Sequence, residues 1–176
     1  PVCDVSGGVH IKTDIWATHN YEQDPKKLKD LIFNGQRWFQ TPNEYPGIPR
    51  RNTGFNRAQD NEVYDFPTYD AATMPDRLDE FGGIKWVKGQ DQATGNSNAS
   101  WGYGEPPHSL EEFYARLEGQ VDALMEIAEN VWGYCYTQLT DVEQEQNGIY
   151  FYDRSAKFDM DRIRAIFSKR PAASKH

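Results

Sequence analysis

Two adjacent carboxylates close a short extended run in Leu78-Asp79-Glu80-Phe81-Gly82-Gly83-Ile84-Lys85-Trp86, and two glycines follow at once. Glycine reaches backbone angles closed to other residues, so the chain can turn away directly behind the acidic pair. A strand that ends in this way aims Glu80 into whatever cleft lies beyond its C-terminal edge, the position of the active face in a (β/α)8 barrel. Glu80 is therefore a candidate catalytic carboxylate. Glutamate before a glycine turn also occurs on ordinary surfaces, so the neighbouring elements have to supply the rest of the case.

Those elements alternate between strand and helix. Val2–Ser6 and Thr13–Ala17-Thr18 have strand composition, and His19-Asn20-Tyr21 follows the second of them directly. Asp24-Pro25 pairs an N-cap acceptor with a proline at the first helical position, and Leu28, Leu31, Ile32, Trp38 and Phe39 form the apolar stripe of that helix. From Thr41 to Asp76, five prolines and many Asn and Asp predict one long loop. A strand over 77–81 precedes a Gly- and Asn-rich loop that ends in Trp101-Gly102-Tyr103-Gly104. Ser109-Leu110-Glu111-Glu112 fits a capping box and opens a helix to about Glu129, with Leu110, Phe113, Leu117, Val121, Leu124, Met125 and Ala128 as its core stripe. Val131–Tyr136 is the strongest strand, 137–148 is a polar loop, Asp159–Phe167 is a short helix, and 169–176 is a basic tail expected to be mobile. Four parallel strands, at 2–6, 13–18, 77–81 and 131–136, are expected, with polar, aromatic and acidic residues gathered at their C-terminal ends. If Asp79 and Glu80 follow strand alternation, their side chains point to opposite faces.

Composition narrows the function classes. With 176 residues the chain can form one domain with a real core, yet it is shorter than the roughly 250 residues of a complete barrel. The excess of 27 acidic over 19 basic residues disfavours nucleic acid and anionic membrane as partners. No apolar run approaches a membrane span. Cys3 and Cys135 fall in apolar extended runs and are expected to be buried thiols, which leaves the compartment open. His10, His19, His108 and His176 are too scattered to suggest a metal site, and no cofactor is expected. Aromatic residues on loops and strand ends, among them Trp86, Trp101, Tyr103, Tyr134 and Tyr136, suit stacking on a flat ligand face.

Three blocks carry a family resemblance: Glu80-Phe81-Gly82-Gly83, the run from Trp132 through Tyr136-Thr137-Gln138-Leu139-Thr140-Asp141 to Glu145, and Asn147-Gly148-Ile149. With them the chain resembles the catalytic barrel of glycoside hydrolase family 2, which includes β-galactosidases, β-glucuronidases and β-mannosidases. The resemblance runs from a fifth barrel strand at Val2–Ser6 to an eighth at Val131–Tyr136 with its closing helix, so that residues 1–168 would form the C-terminal half of the (β/α)8 barrel. Such enzymes retain anomeric configuration by using two carboxylates about 5 Å apart, one as nucleophile and one as general acid/base. Glu80 matches the nucleophile, and Tyr21 matches the tyrosine that hydrogen-bonds it.

The family's acid/base glutamate follows an asparagine on the fourth strand, which would lie upstream of Val2. Asn43-Glu44 has the same letters but sits in the proline-rich loop and is taken as coincidence. The resemblance also implies sugar contacts from His19, Asn20, Trp86, Trp101, Tyr136, Gln138 and Asp141. The chain departs from the family in three places. Asp79 stands where relatives usually have Ser, and Tyr136 or Gln138 stands where many have a subsite Trp. The Asn147-Gly148 loop lacks the Asn-x-Lys by which β-glucuronidases pair a lysine with the sugar carboxylate, so a neutral β-glycoside, a galactoside first, is the expected substrate. A half-barrel exposes sheet edges, and its expected partner is the other half of the barrel or a second copy. Without the acid/base the 176 residues alone would be inactive. The alternatives are a noncatalytic carbohydrate-binding fragment and a half-barrel interaction module.

Overall fold

The computed structural model describes residues 1–7, 10, 12–33, 75–87, 89, 100–129 and 131–172. The expected loop from Thr41 to Met74, Asn43-Glu44 within it, and Trp38, Phe39 and His176 lie outside these residues.

The described chain is mixed α/β. Its elements run β1 (Trp16–Asn20), α1 (Pro25–Phe33), β2 (Asp76–Gly82), α2 (Leu110–Glu126), β3 (Val131–Thr137) and α3 (Met160–Phe167). The three strands form one parallel sheet in the order β1-β2-β3. Parallel neighbours need a crossover between them, and a helix follows each strand here. Helix α2 packs against both α1 and α3. Between helices and sheet lies a core of Leu28 and Ile32 from α1, Leu78 and Phe81 from β2, Phe113, Leu117, Val121 and Leu124 from α2, and Ile163 and Ile166 from α3. Phe113 stacks on Phe158, with ring centroids 4.0 Å apart. Burying each such side chain contributes about 1.5–3 kcal/mol. Among the described residues no helix is long and apolar enough to cross a membrane.

Helix starts follow the local sequence closely. The Ser109 hydroxyl accepts from the Glu112 N–H at 3.1 Å, while the Glu112 carboxylate accepts from the His108 N–H at 2.8 Å, one residue before the usual partner in a capping box. Asp24 accepts from the amides of Lys26 and Lys27, and Asp159 from those of Asp161 and Arg162.

Three expectations are corrected. Val2–Ser6 is not a strand, because its polar groups are taken up locally: the Val2 carbonyl accepts from the Asp14 and Ile15 amides, and Asp4 accepts from the Lys12 amide at 2.8 Å and pairs with His10 at 2.6 Å. The next strand begins at Trp16 and not at Thr13, whose hydroxyl donates to the Ile15 carbonyl at 2.6 Å and folds residues 13–15 into a turn. Cys3 and Cys135 are exposed free thiols, Cys3 on the irregular N-terminal segment and Cys135 on β3, whose Trp132 is also 76% exposed. At the start of the expected tail, Lys169 Nζ lies 2.8 Å from Glu118 and 2.5 Å from Asp122 on α2.

Replacing Ser109 by Ala removes the N-cap acceptor of the longest helix and should lower unfolding free energy by about 1 kcal/mol in urea titration. An unchanged midpoint would mean that the cap contributes nothing to α2.

Candidate active site

Between Leu78 and Phe81, β2 carries one residue more than either neighbour. Thr18 pairs with Leu78 but His19 pairs with Glu80, and on the other side Leu78 pairs with Tyr134 but Phe81 with Tyr136. The extra residue falls at Asp79 and Glu80. A bulge of this kind breaks strict alternation. Asp79 and Glu80 consequently both face His19, with Asp79 Oδ1 3.5 Å from Nε2 and Glu80 Oε2 3.1 Å from Nδ1. The expectation of opposite faces is thus overturned.

The Tyr21 hydroxyl donates to Glu80 Oε2, closing the gap between the end of β1 and the end of β2. Gln23 fixes this junction by donating to the carbonyls of Gly82 at 2.6 Å and Tyr21 at 2.8 Å, and Gln120 of α2 donates to the Glu22 carbonyl at 2.9 Å. Tyr103 lies flat on Tyr21, with ring centroids 3.4 Å apart and planes 3° from parallel. Gly83 makes that stack possible: at φ +60° a Cβ there would fall 2.4 Å from the Tyr103 ring and 3.0 Å from Tyr21. Burial first, and then the bond to Glu80, pushes the Tyr21 phenol well above the ordinary range. The phenol therefore remains a donor to the carboxylate.

Trp101 continues the aromatic rim. It is 48% exposed, packs edge-on to Tyr103, and is fastened by backbone bonds to Gln144 and Gln146. Ser6 Oγ lies 3.0 Å from His19 Nε2, and Gly7, at φ +58°, lies so close to the same ring that any side chain would collide with it. The pairing of Asp4 with buried His10 pins the segment that delivers these two residues.

The remaining expected sugar contacts have other duties. Asn20 is buried and accepts from the Glu22 amide at 3.0 Å, so it shapes the turn after β1. Trp86 is only 5% exposed and packs on Phe113 in the core, where no sugar could stack on it. Asp141 is buried against Lys157 at 2.5 Å and also accepts from the Gly148 amide at 2.9 Å. Burial pushes the Lys157 ammonium below its ordinary range while Asp141 opposes the shift. Removing one partner of such a pair costs about 3–5 kcal/mol, which makes it a brace for the loop after β3. Tyr136 and Gln138 stand past the middle of that loop's base, yet both are tied to buried Asn147: the Tyr136 hydroxyl donates to its carbonyl at 3.2 Å, and the Gln138 amide to its side chain at 2.9 Å. A cavity of ≈ 450 Å³ beside this loop is lined by Val87, Asp141, Glu143, Gln146, Phe151 and Tyr152 among others, and by neither Glu80 nor Tyr21.

One ionisable cluster therefore meets at the C-terminal end of the sheet, made of Glu80, Tyr21, His19 and Asp79, with Tyr103 and Trp101 as its aromatic side. Asp79 was not among the expected site residues, and Tyr103 was expected only as one of the loop aromatics suited to stacking. The glycine pair signals room for Tyr103, whereas nothing in sequence periodicity signals the bulge. No protein-family model matches the chain, and neither does any curated protein. A functional reading has to stand on these residues and their arrangement.

The phenol gives a pH test. Folded protein keeps the Tyr21 proton where the unfolded chain releases it, above the ordinary tyrosine value of 10.0, so this contribution to stability is complete below that pH and is lost as pH rises beyond it. Urea unfolding between about pH 9 and pH 11 should show stability falling more steeply for the unmodified chain than for Tyr21→Phe. Equal slopes would remove the buried, protonated phenol from the account.

Proposed function

We propose that this chain contributes the nucleophile side of a retaining β-glycosidase, with Glu80 as the attacking carboxylate and the general acid/base supplied by residues outside it. The observation that carries this reading is the bond from the Tyr21 hydroxyl to Glu80 at the C-terminal end of a parallel sheet. A glycosidase nucleophile must stay ionised and held in place, and a neutral phenol donor serves both needs without adding charge. The Glu-Phe-Gly-Gly and Tyr-Thr-Gln-Leu blocks that resemble glycoside hydrolase family 2 fall at the ends of β2 and β3.

In the first step a Glu80 oxygen forms a bond to the anomeric carbon while the bond from that carbon to the leaving-group oxygen breaks. The departing oxygen keeps the electron pair and takes a proton from the acid. Water, deprotonated by the same group, then attacks the anomeric carbon and returns Glu80 as a carboxylate. Trp101 and Tyr103 offer ring faces and edges to the sugar on the open side. A neutral β-glycoside, a β-galactoside first, suits this site. Lys157, the lysine that closes the Asn147 loop from below, is fully buried and paired with Asp141, so it has no charge to offer a sugar carboxylate.

We further infer that the three-stranded sheet is part of the second half of a (β/α)8 barrel. The order of strands and helices and the unpaired edges of β1 and β3 among the described residues favour that arrangement. Exposed Trp132 favours a covering partner, which would be the other half of the barrel or a second copy.

In the enzyme with a complete barrel, Glu80→Gln should lower kcat toward an aryl β-galactoside at least about a thousandfold with little change in substrate binding. Near-normal turnover by that variant would end the reading.

A further inference from the structure

The bulge creates an electrostatic problem beside Glu80. Asp79 is only 9% exposed, and its Oδ1 has no hydrogen-bond partner among the described residues. Its neighbour Glu80 presents a second carboxylate to the same ring. Two like charges this close to each other are both ionised only if something opposes them, and otherwise one holds a proton. A glycosidase nucleophile that holds a proton cannot attack.

Among the described residues, the groups that face His19 are few. Ser6 and Gly7 approach from the N-terminal segment, Asp79 and Glu80 from β2, and Tyr21 reaches the ring's surroundings through Glu80. His10 and Asp4, on the same N-terminal segment, pair with each other. Each nitrogen of His19 thus faces one carboxylate, Nε2 toward Asp79 and Nδ1 toward Glu80, with Ser6 Oγ also 3.0 Å from Nε2. Both nitrogens carry a proton only in the imidazolium form. Tyr21 and His19 both approach the same oxygen of Glu80, Oε2, and among the described residues Oε1 accepts no hydrogen bond.

We propose that His19 is a positioning residue for Glu80: as an imidazolium between Asp79 and Glu80 it lets both carboxylates ionise on one face, and with Tyr21 it holds Oε2 so that Oε1 is the attacking oxygen. This rests on the reading of Glu80 as nucleophile and adds to it the device that keeps Glu80 charged beside Asp79.

The test is a mutant cycle in the enzyme with a complete barrel. His19→Gln keeps a polar side chain of similar reach without the charge, and it should lower kcat for an aryl β-galactoside roughly 10- to 100-fold with KM within about threefold. Removing the opposing charge as well, in His19→Gln with Asp79→Ser, should recover at least about tenfold of that loss, because Glu80 no longer has a like charge beside it. A double variant no better than His19→Gln would assign His19 a packing role and overturn the proposal, as would normal kcat in His19→Gln. If His19→Gln folds poorly, Asp79→Ser alone decides: without the like charge Glu80 stays ionised further into acid, so kcat/KM should hold to lower pH than in the unmodified enzyme, and superimposable pH profiles overturn the proposal. Glu80→Gln run in parallel separates the two levels. Full turnover in that variant removes the nucleophile itself, whereas its inactivity beside an unaffected His19→Gln removes only the role of His19.

Discussion

One extra residue in β2 governs how the ionisable cluster of this chain is placed. A parallel strand in perfect register would send Asp79 and Glu80 to opposite faces, one toward the helices and one toward the open side of the sheet. Because β2 is one residue longer than β1 and β3 between Leu78 and Phe81, both carboxylates arrive beside His19 at the sheet's C-terminal end. Every other feature of the cluster answers that placement. Tyr21 supplies a donor to Glu80, Gly83 leaves room for Tyr103 to cover Tyr21, and Ser6 with Gly7 closes on the far edge of the His19 ring.

The scaffold around the bulge is rigid for ordinary reasons. Phe81 fills the core beneath it, edge-on to both Tyr134 and Tyr136, so β2 cannot slide to repair its register without unpacking three rings. Gln23 and Gln120 hold the turn that carries Tyr21 through backbone carbonyls, which fixes its position independently of Glu80. On the other side, the buried pair of Asp141 and Lys157 and the bonds to Asn147 brace the loop after β3, and that loop in turn anchors Trp101. The buried pair of Asp141 and Lys157 thus acts as a brace.

Much of this was legible in the residues themselves. Asp24 and Ser109 marked helix starts because a side-chain acceptor one position before a helix has a single local use. The acidic pair before Gly82-Gly83 marked the site, and the meeting of Tyr21 with Glu80 follows once the ends of β1 and β2 are neighbours. What was hidden depends on partners distant in sequence. Val2–Ser6 has the composition of a strand, but Asp4 finds His10 and the Val2 carbonyl finds Asp14, so local bonds win over the sheet. Cys135 alternates like a core residue and yet faces outward, because alternation says which residues share a face and not which face is covered. Trp86 and Trp101 look alike as loop aromatics, and only the packing of Phe113 against Trp86 separates core from rim. The bulge itself has no signature in composition.

The central claim is that Glu80 forms the covalent bond to sugar. A 2-deoxy-2-fluoro-β-galactoside with a good leaving group tests it directly, since the fluorine slows breakdown of the glycosyl-enzyme more than the leaving group allows its formation to slow. After incubation with the enzyme that contains a complete barrel, peptide mapping by mass spectrometry should find the fluorosugar on the peptide bearing Glu80 and on that residue within it. A label on any other carboxylate, or turnover of the parent substrate with no label at all, would contradict the account.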